Sequence, residues 1–511
     1  MKTASEKQEN NGFIEFFKLI TDNEQKVKDV EIQQDKFLLF LQSLGFFRYD
    51  IEDTQLFVRI KNNVIEEVRI SKIKDEIKKI FEDDNIAIPY KELVKRKIIA
   101  GSKAYLSEER LTWLDNCNHL QFNQAEPNKA YFYFRNGFVT ITPQGWSLHP
   151  YTELKGLVWR KQLIDKDFTN LLDIWVTTEK ENGVFFRFCE LLAHLPSLTP
   201  QQNQERFKAL STMIGYLVHD FTDTKLQAIN LTDSKVGEDK DENNGRTGKS
   251  LIMQALKKIT DVCEIKGKSF TPEKSHKYQS LSISTKLVCF NDIKDNFSLE
   301  DVYDALTEGY EVERKNKQPF NVVAKTLITS NRPLKINGES DRDRVIEFEV
   351  SDYFSSKHTP SDEFASLKKP NSDRYWFFRD WDSAEWNRFF NFIVFCVHSY
   401  FTNGLIRPSQ STLDKRKLLN ETCKEFIDFM QDLNITFDEV GFSKDYDKQT
   451  LCNDFILQYP DFVKISQRRF TSWLHKYAKY TEGFAEVQNT DEWRNQNTKP
   501  ASMLIRFRKA K

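Results

Sequence analysis

The residues with the clearest chemistry form one short segment at positions 244–250. Its residues are Asn244, Gly245, Arg246, Thr247, Gly248, Lys249 and Ser250. A strand-like run precedes it at 228–232 and a helical apolar pattern follows at 251–256, which is the context of a phosphate-binding loop. Glycines let backbone N–H groups close on phosphate oxygens, a lysine reaches the β- and γ-phosphates, and a hydroxyl holds Mg²⁺. The segment therefore predicts nucleotide binding, against the alternative of a polar loop that happens to precede a helix.

One position departs from the usual loop. Asn243 stands where such loops have their first glycine, and Gly245 comes two residues later. Asn tolerates left-handed backbone better than most residues, so we expect the loop to form nonetheless.

Two downstream strand-like runs end in polar residues. Residues 286–292 end at Asp292, and residues 325–331 end at Asn331. A carboxylate at a strand end can serve Mg²⁺ or the attacking water, and an amide can bond to the γ-phosphate or orient that water. Taken singly, each run could be an ordinary core strand. Because ligands of open α/β sheets bind at the carboxyl ends of the strands, the two runs together with Lys249 predict one site.

Basic residues stand at two further places. Alternating residues on both sides of a polar tip predict a hairpin over 311–320 that presents Arg314, Lys315 and Lys317. Arg342 and Arg344 come just before another strand-like run. Each of these could be a solvated turn residue, or one arginine could reach a neighbouring subunit's nucleotide and stabilise charge on the transferring phosphoryl group.

Composition limits the class of protein. The chain has 511 residues, enough for three or four units at about 150 residues each. Charged residues make up 30% and the net charge is -1, so a nucleic-acid surface would have to be a local patch. The 7 cysteines lack any C-x-x-C pair, which indicates buried free thiols in a reducing compartment without zinc or disulfides. No leader or long apolar run occurs, so we expect a soluble, cytoplasmic protein.

The first 200 residues mix helix and strand patterns. Residues 36–47 and 70–81 have helical spacing, and residues 55–60 alternate as a strand does. An Asn-Gly turn between aromatic runs predicts a hairpin over 131–142. Its aromatic residues could stack on bases, but alternation favours core packing. Helices are expected at 185–198 and 205–220, and an aromatic helical segment at 375–401.

The last ninety residues contain a basic helix. Ser466 can cap it, and its apolar face comprises Phe470, Trp473, Leu474 and Tyr477. The basic residues that we assign to DNA binding are Arg468, Arg469 and Lys476. Strand candidates follow at 484–487 and 503–507, so a winged-helix-like DNA-binding domain is one interpretation. A helical cap with a basic face is the other.

Over about residues 222–353 the motifs and their order resemble the superfamily III helicases of viruses, phages and plasmids. More loosely, the lead-in resembles the primase-helicase type. The resemblance implies an α/β, AAA+-like P-loop ATPase core that forms a hexameric ring in the host cell interior, with ATP and Mg²⁺ between subunits. It implies that Lys249 binds phosphate, Ser250 and Asp292 organise Mg²⁺, Asn331 senses the γ-phosphate, and Arg342 or Arg344 acts in trans. Lys315, Asn316 and Lys317 would grip single-stranded DNA in the central channel, and we assign Arg314 beside them to DNA binding as well.

The resulting domain prediction has six parts. They are an N-terminal α+β region (1–125), a hairpin-containing segment (126–185), a helical connector (186–222), the ATPase domain (223–355), an aromatic helical subdomain (356–420) and the winged-helix-like domain (421–511).

The expected function is that of an ATP-dependent replicative DNA helicase of a phage or mobile element. Asn291 stands where the family usually has the first of two adjacent acids, which favours a second hypothesis, an ATP-regulated initiator or loader with weak hydrolysis. A P-loop scaffold of an antiviral or packaging complex is a third. No paired acids with a nearby histidine mark a primase centre in the first 200 residues, so we predict no primer synthesis by this chain, and a separate primase could be a partner.

Overall fold

The structure is a computed structural model. It describes residues 14–51, 54–171, 182–222, 226–234, 246–294, 297–315, 318–334, 339–408, 411–489 and 504–510. Within these ranges the chain is a mixed α/β protein with one parallel sheet and several antiparallel ones.

The N-terminal unit combines a hairpin and a small sheet with helices. Its strands are β1 (Phe17–Thr21), β2 (Val27–Ile32), β3 (Phe46–Ile51), β4 (Thr54–Lys61) and β5 (Val64–Glu67). Its helices are Gln34–Ser43, Ile70–Glu82, Lys91–Ala100, Ser102–Tyr105 and Glu108–Leu111. The strand predicted at 55–60 and the helix predicted at 70–81 are confirmed by β4 and by Ile70–Glu82.

The helix predicted over 36–47 was wrong at its C-terminal end. It stops at Ser43 because Gly45 takes a left-handed conformation with φ 89° and the chain turns there into β3. A Cβ at Gly45 would lie 2.2 Å from the carbonyl oxygen of Ile60, so only glycine fits this crossing.

A second four-stranded sheet follows, in which one of the three strand pairs is parallel. The strands of this region are β6 (Ala130–Phe134), β7 (Gly137–Thr142), β8 (Gly145–His149), β9 (Val158–Trp159) and β10 (Leu163–Ile164). The predicted hairpin is confirmed as β6–β7, and β9 pairs instead with β5 of the N-terminal sheet. Phe132, Tyr133 and Phe134 are buried, which supports core packing of the hairpin aromatics.

Two connector helices, Val184–Ala193 and Pro200–Val218, lead to the central sheet. Thr199 caps the second, with Pro200 at its first position and Gln202 closing a capping box. Both connector helices contribute buried residues to the core on one face of the sheet.

The central sheet has five parallel strands in the order β12-β13-β16-β11-β17. They are β11 (Ala228–Asp233), β12 (Val262–Lys266), β13 (Leu287–Asn291), β16 (Lys325–Ser330) and β17 (Val345–Val350), and a short hairpin of β14 (Tyr310–Val312) and β15 (Phe320–Val322) precedes β16. The four strands β11, β13, β16 and β17 are almost wholly buried, as expected for a parallel sheet covered on both faces. All five carboxyl ends consequently lie at one edge.

Helices cover one face of the sheet and the β14–β15 hairpin packs on the other. The first face meets Lys249–Leu256, the connector helices and the 21-residue helix Ser383–Asn403. On the opposite face, Tyr310 and Phe320 of the hairpin share a core with Phe290 of β13 and Ile328 of β16. Shorter helices are Tyr303–Thr307, Glu339–Arg344 and Pro360–Glu363.

The aromatic helix predicted over 375–401 was wrong in its first turns. The Asp382 carboxylate accepts a 2.7 Å hydrogen bond from the Glu385 N–H and caps the helix, which therefore begins at Ser383. Trp381, before the cap, is buried against the Phe389 ring at 5.3 Å, so the aromatic segment is still core.

The C-terminal unit packs helices on a three-stranded antiparallel sheet. The helices are Ser411–Glu421, Lys424–Asp432, Lys448–Gln458 and Gln467–Tyr480, and the strands β18 (Tyr446–Asp447), β19 (Phe484–Asn489) and β20 (Leu504–Lys509) pair in the order β18-β20-β19. Ser466 caps the last helix through a 3.2 Å bond from the Arg469 N–H, as predicted. Its predicted apolar face, Phe470, Trp473, Leu474 and Tyr477, is buried.

Two sequence expectations concern the whole chain. The seven cysteines are all free thiols. In the part of the chain that the structure describes, no helix is long and apolar enough to cross a bilayer.

Candidate nucleotide site

The end of the predicted phosphate loop leads directly into a helix. Gly248 caps Lys249–Leu256 with φ 95°, and a Cβ there would lie 2.8 Å from the Phe188 ring. Glycine is thus required both by the left-handed backbone and by the lack of space. Arg246, also left-handed at φ 63°, is exposed. Asn243, Asn244 and Gly245 lie outside the described residues.

Three neighbouring strands deliver polar side chains to the edge beside this loop. Asp292 follows β13, Asn331 follows β16, and Asp233 is the last residue of β11. Because β16 lies between β13 and β11, Asn331 stands between the two acids. The structure thus brings Lys249 of the loop together with Asn331 and Asp292, which follow neighbouring strands, as the sequence predicted.

The Lys249 ammonium group is the centre of this cluster. It donates to the Asp233 carboxylate, to Thr247 Oγ1 at 3.2 Å and to Asn331 Oδ1 at 3.3 Å. Thr247 Oγ1 donates to the same Asp233 oxygen at 2.5 Å. Burial lowers the pKa of Lys249, and the attraction of the Asp233 charge opposes that shift.

Sequence reasoning missed Asp233. It is 5% exposed and its carboxylate is the acid paired with Lys249. The signal available in the sequence was an acid that ends the strand leading into the loop.

Asp292 is held in an unusual backbone conformation. Its φ is 57°, and its N–H donates to Thr329 Oγ1 at 2.8 Å. One carboxylate oxygen accepts from Asn331 Nδ2 at 3.3 Å and the other from Lys268 Nζ at 2.6 Å. A left-handed non-glycine residue fixed by a neighbouring strand is a common feature of functional sites. Lys268, in the turn after β12, is a second residue that the sequence reasoning missed.

The Asn291 amide belongs to a second hydrogen-bond network beside the site. Its Nδ2 donates to Glu264 Oε1 at 2.8 Å and its Oδ1 accepts from Thr329 Oγ1 at 3.0 Å. Burial raises the pKa of Glu264, but hydrogen bonds from Lys257 and Asn291 outweigh it, so the pKa stays below its ordinary value. Thr329 therefore links the Asn291 amide to the Asp292 backbone.

The remaining predicted ATPase residues have varied positions. Ser250 is exposed in the first turn after Lys249. Arg344, at the end of helix Glu339–Arg344, has its guanidinium 4.6 Å from the Tyr303 ring centroid of its own chain. Arg342 lies in the same helix, and its side chain is outside the described part of the structure.

The hairpin residues predicted to bind DNA differ in their environment. Arg314 donates to Glu67 Oε1 at 3.1 Å and to the Leu281 carbonyl at 2.8 Å. Lys315 is exposed. Asn316 and Lys317 are outside the described residues.

The predicted basic residues of the C-terminal helix also differ in their exposure and contacts. Arg468 and Arg469 are exposed, and the Arg469 guanidinium is 5.3 Å from the Trp473 ring centroid. Lys476 is paired with Glu421 at 3.2 Å, which links the helix to Ser411–Glu421.

Comparison with known proteins did not assign this chain to a family. No protein-family model matches the chain. No curated protein matches it either. Among solved structures, one titled as the A form apo structure of the NrS-1 C-terminal region is 13% identical, with a TM-score of 0.35 over 92% of this chain and 98% of that chain. A second, of residues 305–718 of that protein, is 12% identical with a TM-score of 0.36, covering 93% and 98%.

Proposed function

We propose that this protein is an ATP-dependent DNA helicase that acts in the replication of a phage or mobile element as a ring, most simply a homo-hexamer. The observation that carries the proposal is the meeting of Lys249, Asn331 and Asp292 at the carboxyl edge of a parallel sheet, in front of a glycine-capped helix. A cation, an amide and a carboxylate at this edge are the groups that phosphoryl transfer from a nucleotide uses.

In this proposal Lys249 binds the β- and γ-phosphates, and the loop residues from Asn244 to Ser250 surround them. Asn331 orients the attacking water, whose oxygen bonds to the γ-phosphorus as the bond to the β–γ bridging oxygen breaks, leaving ADP and phosphate. Asp292 accepts the water proton. Arg342 or Arg344 of the adjacent subunit neutralises charge on the transferring group.

The side chains present fit Mg²⁺. This ion is usually held by one or two carboxylates together with substrate phosphates. Asp292 offers a carboxylate with 43% of its side chain exposed, and Ser250 an exposed hydroxyl. When bound, the ion would neutralise charge on the phosphate oxygens. Among the described residues no group of three or more His, Cys, Asp or Glu could hold a metal, so the proposal relies on the phosphates for the other ligands.

For DNA we propose contact at two places. Exposed Lys315 on the hairpin would touch the backbone of a single strand in the channel. Exposed Arg468 and Arg469 would contact duplex DNA through a winged-helix-like C-terminal unit. Phosphate contacts of this kind give salt-dependent binding without sequence preference, which suits a translocating motor. A separate primase would complete the replication machinery.

One observation favours the second candidate, an ATP-regulated initiator or loader. The end of β13 offers the site one carboxylate, that of Asp292, because the residue before it is Asn291. The Asn291 amide donates to Glu264 instead. If one acid must serve both the metal and the attacking water, the protein would hydrolyse ATP slowly. Nucleotide binding would then act mainly on assembly of the ring.

The test is steady-state ATP hydrolysis of wild type and Lys249→Ala, with and without single-stranded DNA, together with unwinding of a forked duplex. Lys258→Ala is the control, because Lys258 is an exposed lysine two residues beyond the end of the same helix. Hydrolysis that DNA stimulates, that Lys249→Ala abolishes and that Lys258→Ala leaves intact would support the helicase. Nucleotide-dependent assembly without turnover or unwinding would support the initiator or loader.

A further inference from the structure

The N-terminal unit touches both arms of the β14–β15 hairpin. Thr54, the first residue of β4, donates through Oγ1 to the Gln318 carbonyl at 2.8 Å. Glu67, the last residue of β5, accepts from Arg314 at 3.1 Å. Arg314 lies two residues after β14 and Gln318 two residues before β15. The two adjacent strands β4 and β5 therefore each hold one arm of the hairpin close to its tip.

Apolar packing also holds the N-terminal unit against the part of the chain that carries the hairpin. Ile51, at the end of β3, packs against the buried cluster that contains the hairpin residues Tyr310, Val312 and Phe320. In return, Ile283, from the segment before β13, packs against the core of the N-terminal sheet. Each unit thus packs one partly buried isoleucine against the core of the other, and the contact is more than a single surface ion pair.

These contacts occupy Arg314. Its guanidinium is shared between the Glu67 carboxylate and the Leu281 carbonyl, and it lies 5.2 Å from the Phe320 ring centroid. Its side chain is 23% exposed, in contrast to exposed Lys315 next to it. A carboxylate that is bonded to a guanidinium occupies the position that a phosphate oxygen would take. Both groups accept hydrogen bonds from the same planar set of N–H donors.

We infer that the N-terminal unit is a latch on the hairpin, and that Glu67 competes with the phosphates of single-stranded DNA for Arg314. The inference rests on the proposed function for the identity of the competing ligand, and on the contacts alone for the latch. In the latched state the hairpin offers DNA Lys315 without Arg314. Release of Glu67 adds one cation to the DNA-binding surface and frees one arm of the hairpin.

The test compares Glu67→Gln with Glu66→Gln. Both remove one negative charge from β5, but among the described residues the Glu66 carboxylate has no ion pair, so it controls for general electrostatics. Affinity for an oligothymidylate is measured by fluorescence anisotropy across a salt series. Each phosphate contact on a single strand adds about 0.7 to the slope of log affinity against log salt. We expect Glu67→Gln to bind about threefold more tightly at low salt with a slope steeper by about 0.7, and Glu66→Gln to match wild type.

Arg314→Ala identifies the group responsible. Because Arg314 is not on DNA in the latched state, the single variant should keep the wild-type slope, and Glu67→Gln/Arg314→Ala should lose the gain. Equal slopes for Glu67→Gln and Glu66→Gln would overturn the inference. So would a slope reduced by about 0.7 in Arg314→Ala alone, because Arg314 would then already contact DNA.

Hydrogen exchange without DNA tests the latch independently of the proposed function. Glu67→Gln should exchange faster than Glu66→Gln in peptides that cover Tyr310–Val312 and Phe320–Val322. Unchanged exchange would refute the latch and leave the helicase proposal standing. Faster exchange with no oligothymidylate binding by any variant would retain the latch, refute competition with DNA and count against the helicase proposal.

Discussion

The ammonium group of Lys249 and the carboxylate of Asp233 form a buried ion pair at the edge of the central sheet, with side chains 8% and 7% exposed. Thr247 and Asn331 complete the environment of the lysine. A phosphate that enters this site must take Lys249 from Asp233. Such an exchange has an electrostatic cost, because a buried charge that loses its partner is strongly unfavourable.

Asp233→Asn should therefore separate stability from nucleotide affinity. Without nucleotide the variant leaves Lys249 without its counter-charge, and we expect the free energy of unfolding to fall by up to about 3 kcal/mol. ATP then meets no competitor, so its affinity should rise roughly tenfold, equivalent to about 1.4 kcal/mol. Urea denaturation with and without ATP and a fluorescent-nucleotide titration measure the two effects. Weaker nucleotide binding by the variant would mean that Asp233 helps to hold the nucleotide.

Thr329→Val tests how the site orients Asp292. The Thr329 hydroxyl accepts from the Asp292 N–H and donates to Asn291, so its loss frees a residue held at φ 57°. We expect kcat for ATP hydrolysis to fall about 10- to 100-fold, as for loss of a group that orients a functional residue. The KM for ATP should change little, since Lys249 is untouched.

The control is Thr326→Val in the same strand. Thr326 is as buried as Thr329, but its hydroxyl bonds to the Tyr310 hydroxyl. This variant should lower stability and leave hydrolysis intact. Equal kinetic losses in both variants would indicate a general disturbance of β16 rather than misorientation of Asp292.

Asn291→Asp tests whether the Asn291 amide contributes to stability and whether it limits ATP hydrolysis. A second carboxylate facing Glu264 across a 2.8 Å contact would replace a hydrogen bond by repulsion. We expect the single variant to lose about 1–3 kcal/mol of stability and Asn291→Asp/Glu264→Gln to recover it. If Asp292 alone limits hydrolysis, the double variant should also hydrolyse ATP at least about tenfold faster. Recovered stability without faster hydrolysis would show that Asn291 does not limit the reaction.

Four strands of the central sheet, β11, β13, β16 and β17, could be predicted because buried parallel strands read as short apolar runs. The partly exposed β12 was not predicted. Polar residues follow β13 and β16 at the same edge of the sheet. Asn331 and Asp292 were found by that reasoning. Asp233 was not, because nothing in the linear order says that the strand leading into the loop lies next to the strand of Asn331. Lys268 was missed for a similar reason, since only the pairing of β12 with β13 brings it to Asp292. The Arg314–Glu67 bond joins two units, so local patterns could not reveal it.

His219 should make stability depend on pH. Burial, reinforced by the positive charge of Lys325, lowers the pKa of this histidine to about 3, and its ring lies 2.9 Å from the Glu126 carbonyl. The unfolded chain takes up a proton near pH 6.5 and the folded chain does not, so stability present above pH 6.5 is lost as the pH falls toward 3. Between pH 7.5 and pH 5 we expect wild type to lose about 2 kcal/mol more than His219→Gln, as measured by urea denaturation. Exposed His119, changed to Gln, should behave as wild type. An equal pH slope in wild type and His219→Gln would mean that His219 has the same pKa in the folded and the unfolded chain.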